Sequence, residues 1–75
     1  MPLTKLGKRK KATIVEVNAG KQATHRLSSL GLRVGMHITK ISSFALRGPI
    51  AVKVGSTTLA LGHGMADKVI VEVHS

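Results

Sequence analysis

Arg26-Leu27-Ser28-Ser29-Leu30-Gly31-Leu32-Arg33-Val34-Gly35 is the stretch on which the fold turns. Ala23, Leu27 and Leu30 stand at i, i+4 and i+7, which puts three apolar side chains on one helical face, and Gly31 follows where a left-handed C-cap is wanted. The spacing predicts a helix over residues 21–30. Such a helix, roughly two to three turns long, is marginal alone, so Leu27 and Leu30 are expected to pack on a sheet. Gly31 and Gly35 then bracket a turn that Leu32 plugs, with Gly35 letting the chain reverse without a Cβ clash.

Outward from this stretch the apolar residues come as short alternating blocks, the pattern of a small β protein. Residues 12–18 read as a first strand ended by Asn18-Ala19-Gly20, and residues 36–42 as a second. Residues 43–49, with Arg47-Gly48-Pro49, read as a loop at a sheet corner. Ile50-Ala51-Val52-Lys53-Val54 and Thr57-Thr58-Leu59-Ala60-Leu61 alternate on either side of Gly55-Ser56 and predict a hairpin. Gly62-His63-Gly64 breaks the pattern, residues 65–68 suggest one helical turn, and Val69-Ile70-Val71-Glu72-Val73 closes the chain as a strand. The expected fold class is mainly β, a small five-stranded bent sheet or partly open barrel with one short helix, and residues 1–75 are expected to form a single domain.

Length and charge narrow the function. At 75 residues the domain buries only about 60% of the surface its unfolded chain exposes, which leaves no room for a deep substrate cleft. Without cysteine there is neither a disulfide framework nor a thiolate metal site, so the cytosol is the expected compartment. No apolar stretch approaches the roughly 20 residues of a membrane span, and the basic N-terminal run is not followed by the apolar segment of a signal peptide. Twelve Lys or Arg against three Asp or Glu give +9. Residues 1–40 hold nine basic residues and Glu16, for +8; residues 41–75 hold Arg47, Lys53 and Lys68 against Asp67 and Glu72, for +1. The one true run is Lys8, Arg9, Lys10 and Lys11, with Lys5 before it. Such a field suits nucleic acid, an acidic protein surface or anionic head groups, or simply keeps the domain soluble.

Pro2-Leu3-x-x-Leu6, Ala12-x-Ile14, Arg26-Leu27-x-x-Leu30-Gly31-Leu32-x-x-Gly35, Gly48-Pro49-Ile50-x-Val52, Leu59-Ala60-Leu61 and Ala66-x-x-Val69-x-Val71 together resemble the FeoA family, small cytosolic partners of the ferrous iron permease FeoB. The resemblance covers essentially the whole chain. It implies an SH3-like barrel, an accessory role in ferrous iron uptake, and contact with the permease's cytosolic GTP-binding domain. It also implies a cytoplasmic location, peripheral at the inner face of the membrane through that partner. The same domain ends some metal-dependent repressors, but no helix-turn-helix precedes it here, so a free-standing protein is expected. Similar sequences usually carry Gly where this chain has Arg9, and often Leu-Gly-Asp-Pro where it reads Leu46-Arg47-Gly48-Pro49.

The residues offer little for catalysis, which needs positioned carboxylates or histidines in a shielded site. Glu16 and Glu72 are expected outward on strands, Asp67 lies in a turn, and Gly62-His63-Gly64 lacks the rest of a phosphate loop. The chain is expected not to be an enzyme and to hold no cofactor. His63 and Asp67, four apart with Met65 between, are candidate ligands for Fe(II); the bland alternative is surface histidines, since a second His would have to come from His25, His37 or His74. The candidate partner surface joins the predicted helix to the 43–49 loop through Arg26, Leu27, Arg33, Phe44 and Arg47, of which Leu27 reads first as core. The rival function is a basic SH3-like barrel binding RNA, against which a single phenylalanine leaves almost no stacking platform. Self-association through a barrel edge stays open.

Overall fold

The computed structural model describes residues 1–43 and 48–74. A 3-10 turn over Leu3–Lys5 leads to β1 (Lys11–Val17), α1 (Lys21–Ser29), β2 (His37–Ser43), β3 (Ile50–Val54), β4 (Thr57–Leu61), α2 (His63–Ala66) and β5 (Val69–Val73). The strands form one antiparallel sheet in the order β4-β3-β2-β1-β5. Register shifts between Ile14 and Glu16 on β1 and between Lys40 and Ser42 on β2 bend it. The bending lets one face close on itself. Ile14, Ile38, Ile50, Val52, Val69 and Val71 fill the enclosed space, with Leu27 and Leu32 entering from the α1 end and Leu3 and Leu6 from the N-terminal segment.

Alternation explains the hairpin directly. Ile50, Val52 and Val54 are buried while Lys53 faces out, and Gly55 takes a positive φ of 62° in the two-residue turn, the sign a II′ hairpin requires at its first turn position. The N-terminal segment covers the outer edge of β5: Met1 and Val71 exchange backbone hydrogen bonds of 2.7 and 2.9 Å. That contact satisfies groups which would otherwise offer an open edge for pairing.

Three expectations need correction. Leu30 does not pack on the sheet; it is 45% exposed. The helix stops at Ser29, Gly31 takes φ 94°, and the Gly31 and Leu32 amides donate to the Ser28 and Leu27 carbonyls at 2.9 and 2.8 Å. This is a Schellman end, whose apolar contact joins the residue after the glycine to the last full turn. Leu32 therefore takes the core place beside Leu27, and Leu30 is turned out. Second, the short helix begins at His63 and ends at Ala66, earlier than residues 65–68, because Gly62 in extended conformation serves as its N-cap. Third, Gly35 has no heavy atom within 4 Å of a built Cβ; its φ of 95° is what calls for glycine.

Lys40 is the one buried charged residue among those described, at 4% exposure. Parity puts it inside, since it follows inward Ile38 by two and pairs with inward Val52. Its ammonium donates to the Thr4 carbonyl at 3.0 Å and the Leu6 carbonyl at 2.7 Å, tying the N-terminal segment to β2. Burial lowers its pKa below the usual lysine range.

Candidate functional site

The surface that α1 presents is set by how the helix is held. Thr24 anchors its start by donating its hydroxyl to the Ala19 carbonyl at 3.0 Å, Leu27, 2% exposed, pins its middle to the core, and the Schellman turn fixes its end. Burying Leu27 contributes about 2 kcal/mol. What remains outside is Lys21, Gln22, His25, Arg26, Ser29 and Leu30, which together form one open face of the helix. Arg33 and Val34 follow on the turn, and Val34 is 63% exposed. The Gly35 amide donates to the Ile14 carbonyl at 2.8 Å, so this turn is seated against β1.

Exposed Leu30 stands with Lys21, His25 and Arg26 on the face of α1, and exposed Arg33 and Val34 follow it on the turn. No Asp or Glu occurs anywhere between Glu16 and Asp67 in the chain, so the local field is positive without internal compensation from α1 or its turn. Two exposed aliphatic side chains on a backbone fixed by glycine geometry, rimmed by cations, suit an acidic protein surface with an apolar recess.

The sequence-predicted contacts divide accordingly. Arg26 and Arg33 are exposed on this surface. Leu27 is buried, so it supports the surface without forming part of it, and Leu30 stands where a contact was sought. Phe44 and Arg47 lie outside the described residues. Exposed Leu30 was legible only through its place one residue before the left-handed glycine.

His63 and Asp67 sit on one turn, where the Asp67 amide donates to the His63 carbonyl at 3.0 Å. The Asp67 carboxylate accepts the Thr4 hydroxyl at 3.0 Å. Among the described residues no group of three or more His, Asp or Glu side chains converges as a metal cage would require. A different histidine pair does meet: His37 Nδ1 lies 3.1 Å from Thr13 Oγ1, His74 Nε2 also contacts that hydroxyl, and the rings stand edge-to-face at 5.1 Å. The pairing follows from register, because Thr13 lies opposite His37 on β2 and the His74 amide bonds Lys11.

Residues 1–73 match the family model described as the FeoA domain. No curated protein matches the chain. Among solved structures it is similar to an iron uptake regulatory protein, FeoA, at 34% identity and TM-score 0.91, covering 99% of this chain and 97% of that one. It is similar to the iron(II) transport protein A of Clostridium thermocellum at 27% identity and TM-score 0.90, covering 97% of this chain and 45% of that one. The zinc-complexed FeoA of Stenotrophomonas maltophilia, described as a procaryotic SH3 domain protein, is similar at 29% identity and TM-score 0.81, covering 96% and 89%. The SH3-like fold expected from the sequence is thereby shown. A manganese-dependent transcriptional repressor shares the fold at 20% identity and TM-score 0.87, with 99% of this chain on 41% of that one.

Proposed function

The chain belongs to the FeoA domain family, and from that premise we propose that it serves ferrous iron uptake as a small accessory module, docking onto the cytosolic GTP-binding domain of the permease FeoB. The observation that carries the reading is exposed Leu30 beside Arg26 on α1, with exposed Arg33 and Val34 on the turn that follows. Apolar anchors with a charged rim are how small rigid interfaces obtain both affinity and orientation. The positive field speeds encounter with an acidic face, while the anchors set how long the complex lasts. The chain works in the cytosol on this reading and carries out no chemical step of its own.

The test is capture of the purified permease domain by variants. Arg26→Glu reverses charge on an exposed side chain, and Leu30→Asp places a carboxylate in the anchor. Both are expected to weaken capture at least tenfold, the second more, while circular dichroism stays that of the wild type. Phe44→Ala extends the test to the aromatic residue singled out from sequence. Unchanged capture by Arg26→Glu and Leu30→Asp would refute the surface. RNA binding that persists near ~0.2 M salt, where phosphate contacts alone weaken steeply, would favour the rival function.

A further inference from the structure

The basic run at residues 8–11 has no part in the α1 surface, yet the fold holds it firmly. Its turn spans residues 7–10: the Lys10 amide donates to the Gly7 carbonyl at 3.2 Å, and Lys10 lays its aliphatic stem over Gly7, where a Cβ would stand 3.2 Å from the Lys10 Cγ. The Arg9 amide donates to the Lys40 carbonyl at 2.6 Å and the Lys40 amide to the Lys10 carbonyl at 3.1 Å, extending the β1–β2 ladder into the run. From inside, the Lys40 ammonium grips the carbonyls of Thr4 and Leu6. A run that only kept the chain soluble would need none of this.

Arg9 is the second observation. Its φ is 63°, and it is the only non-glycine residue with positive φ among those described. The third position of a turn with this sign pattern is where glycine belongs. Keeping arginine there strains the backbone, and strain of this kind points toward use of the side chain.

Register supplies the third. Outward-facing residues align as a row across the sheet: Lys11 on β1 opposite Thr39 on β2, Thr39 opposite Lys53 on β3, and Lys53 opposite Thr58 on β4. His74 joins the β5 side of Lys11. The carboxylates on this face are Glu72, opposite Thr13, and Glu16, opposite Ile70 further along β1. Beside the basic turn, the β-bulge on β2 turns Ile41 out, 39% exposed.

We propose that residues 8–11, with Lys5, Lys53 and Ile41, form a docking surface for the anionic head groups of a lipid bilayer. A bilayer is favoured over nucleic acid because the chain has a single phenylalanine and no Tyr or Trp on which bases could stack, whereas lysine point charges suffice for lipid head groups. An exposed isoleucine beside them serves insertion at a membrane interface and nothing on a phosphate backbone. Clusters of this size attract anionic lipid at about fivefold in affinity per cation. The surface shares no residue with the α1 face, so either contact can be disrupted by substitution without the other.

Vesicle co-sedimentation of the full chain tests it, with vesicles of about one-third phosphatidylserine against pure phosphatidylcholine at ~0.15 M salt. The wild type is expected to sediment with the first and not the second. The triple variant Lys8→Gln, Lys10→Gln, Lys11→Gln should lose about 100-fold, and Arg9→Gly about fivefold even though it relieves strain. Ile41→Ser should weaken binding, and Lys68→Gln, at the far end of β5, should leave it unchanged. Because no permease is present, failure here leaves the α1 reading standing, and failed capture by FeoB leaves this one. No sedimentation of the wild type, equal sedimentation of the triple variant, or tighter binding to single-stranded RNA than to vesicles at this salt would overturn the proposal.

Discussion

Replacing Lys40 by methionine keeps the length and apolar character of the stem while removing the ammonium that holds two carbonyls. The Thr4 and Leu6 oxygens, at 3.0 and 2.7 Å from Nζ, would lose their donor where water has little access. Each orphaned buried acceptor costs about 1–3 kcal/mol. Against this stands the gain from no longer burying a charge, which for buried ions is several kcal/mol before compensation. The two acceptors together cost about 2–6 kcal/mol, and with part of that offset by the relieved charge burial the net expectation is a loss of about 2 kcal/mol, felt on the segment that carries Leu3 and Leu6 into the core. For a domain of this size that lowers the melting temperature by roughly 8–16 °C. The dependence on pH gives a second readout. Burial lowers the Lys40 pKa in the folded state below 10.5, so between the folded and unfolded values the unfolded chain holds the extra proton, and this group's contribution to stability rises with pH. The advantage of wild type over Lys40→Met should therefore widen as pH climbs through the alkaline window toward 10.5. Urea titrations at several pH values measure both. A variant as stable as wild type at neutral pH, or a difference that narrows on alkalinisation, would refute this account of Lys40.

Other substitutions test the frame of the site. Gly31→Ala forces a Cβ onto a backbone at φ 94° and should cost about 1–2 kcal/mol, read as a lower urea midpoint with unchanged slope. Leu27→Ala should cost about 2–5 kcal/mol as a core truncation, whereas Leu30→Ala, three residues on but exposed, should stay within about 0.5 kcal/mol; equal losses would mean that the helix faces are assigned wrongly. Arg9→Gly should raise the melting temperature by a degree or two, since relief of at least about 1 kcal/mol of left-handed strain outweighs the roughly 0.4–1 kcal/mol of added unfolded-state entropy, and a fall would show that no strain is held there.

Where local chemistry and tertiary demand agree, the sequence is a sound guide. The 50–61 hairpin is written in its alternation and its Gly-Ser turn, and α1 ends where Gly31 says it must. Periodicity misleads at Leu30, because an i, i+7 match assumes that the helix runs on, while the Schellman turn hands the core position to Leu32. It is charge that misleads at Lys40. Parity with Ile38 points inward, a lysine suggests outward, and two main-chain carbonyls 34 and 36 residues away in the chain decide the matter. Such partners are invisible to local reading, as are the strain at Arg9 and the meeting of His37 on β2, Thr13 on β1 and His74 just past β5. For the candidate site, Arg26 and Arg33 were legible as exposed cations. The place of Leu27 beneath them, with Leu30 beside them, required the helix end in three dimensions.

On the proposed reading the α1 face and its following turn bind the permease's GTP-binding domain. Titration calorimetry between the purified chain and that domain, wild type against the double variant Arg26→Glu, Leu30→Asp, tests this most directly. Saturable one-to-one binding by the wild type, lost in a double variant whose melting temperature stays within a few degrees, is the predicted result. Equal affinity for both chains would contradict it.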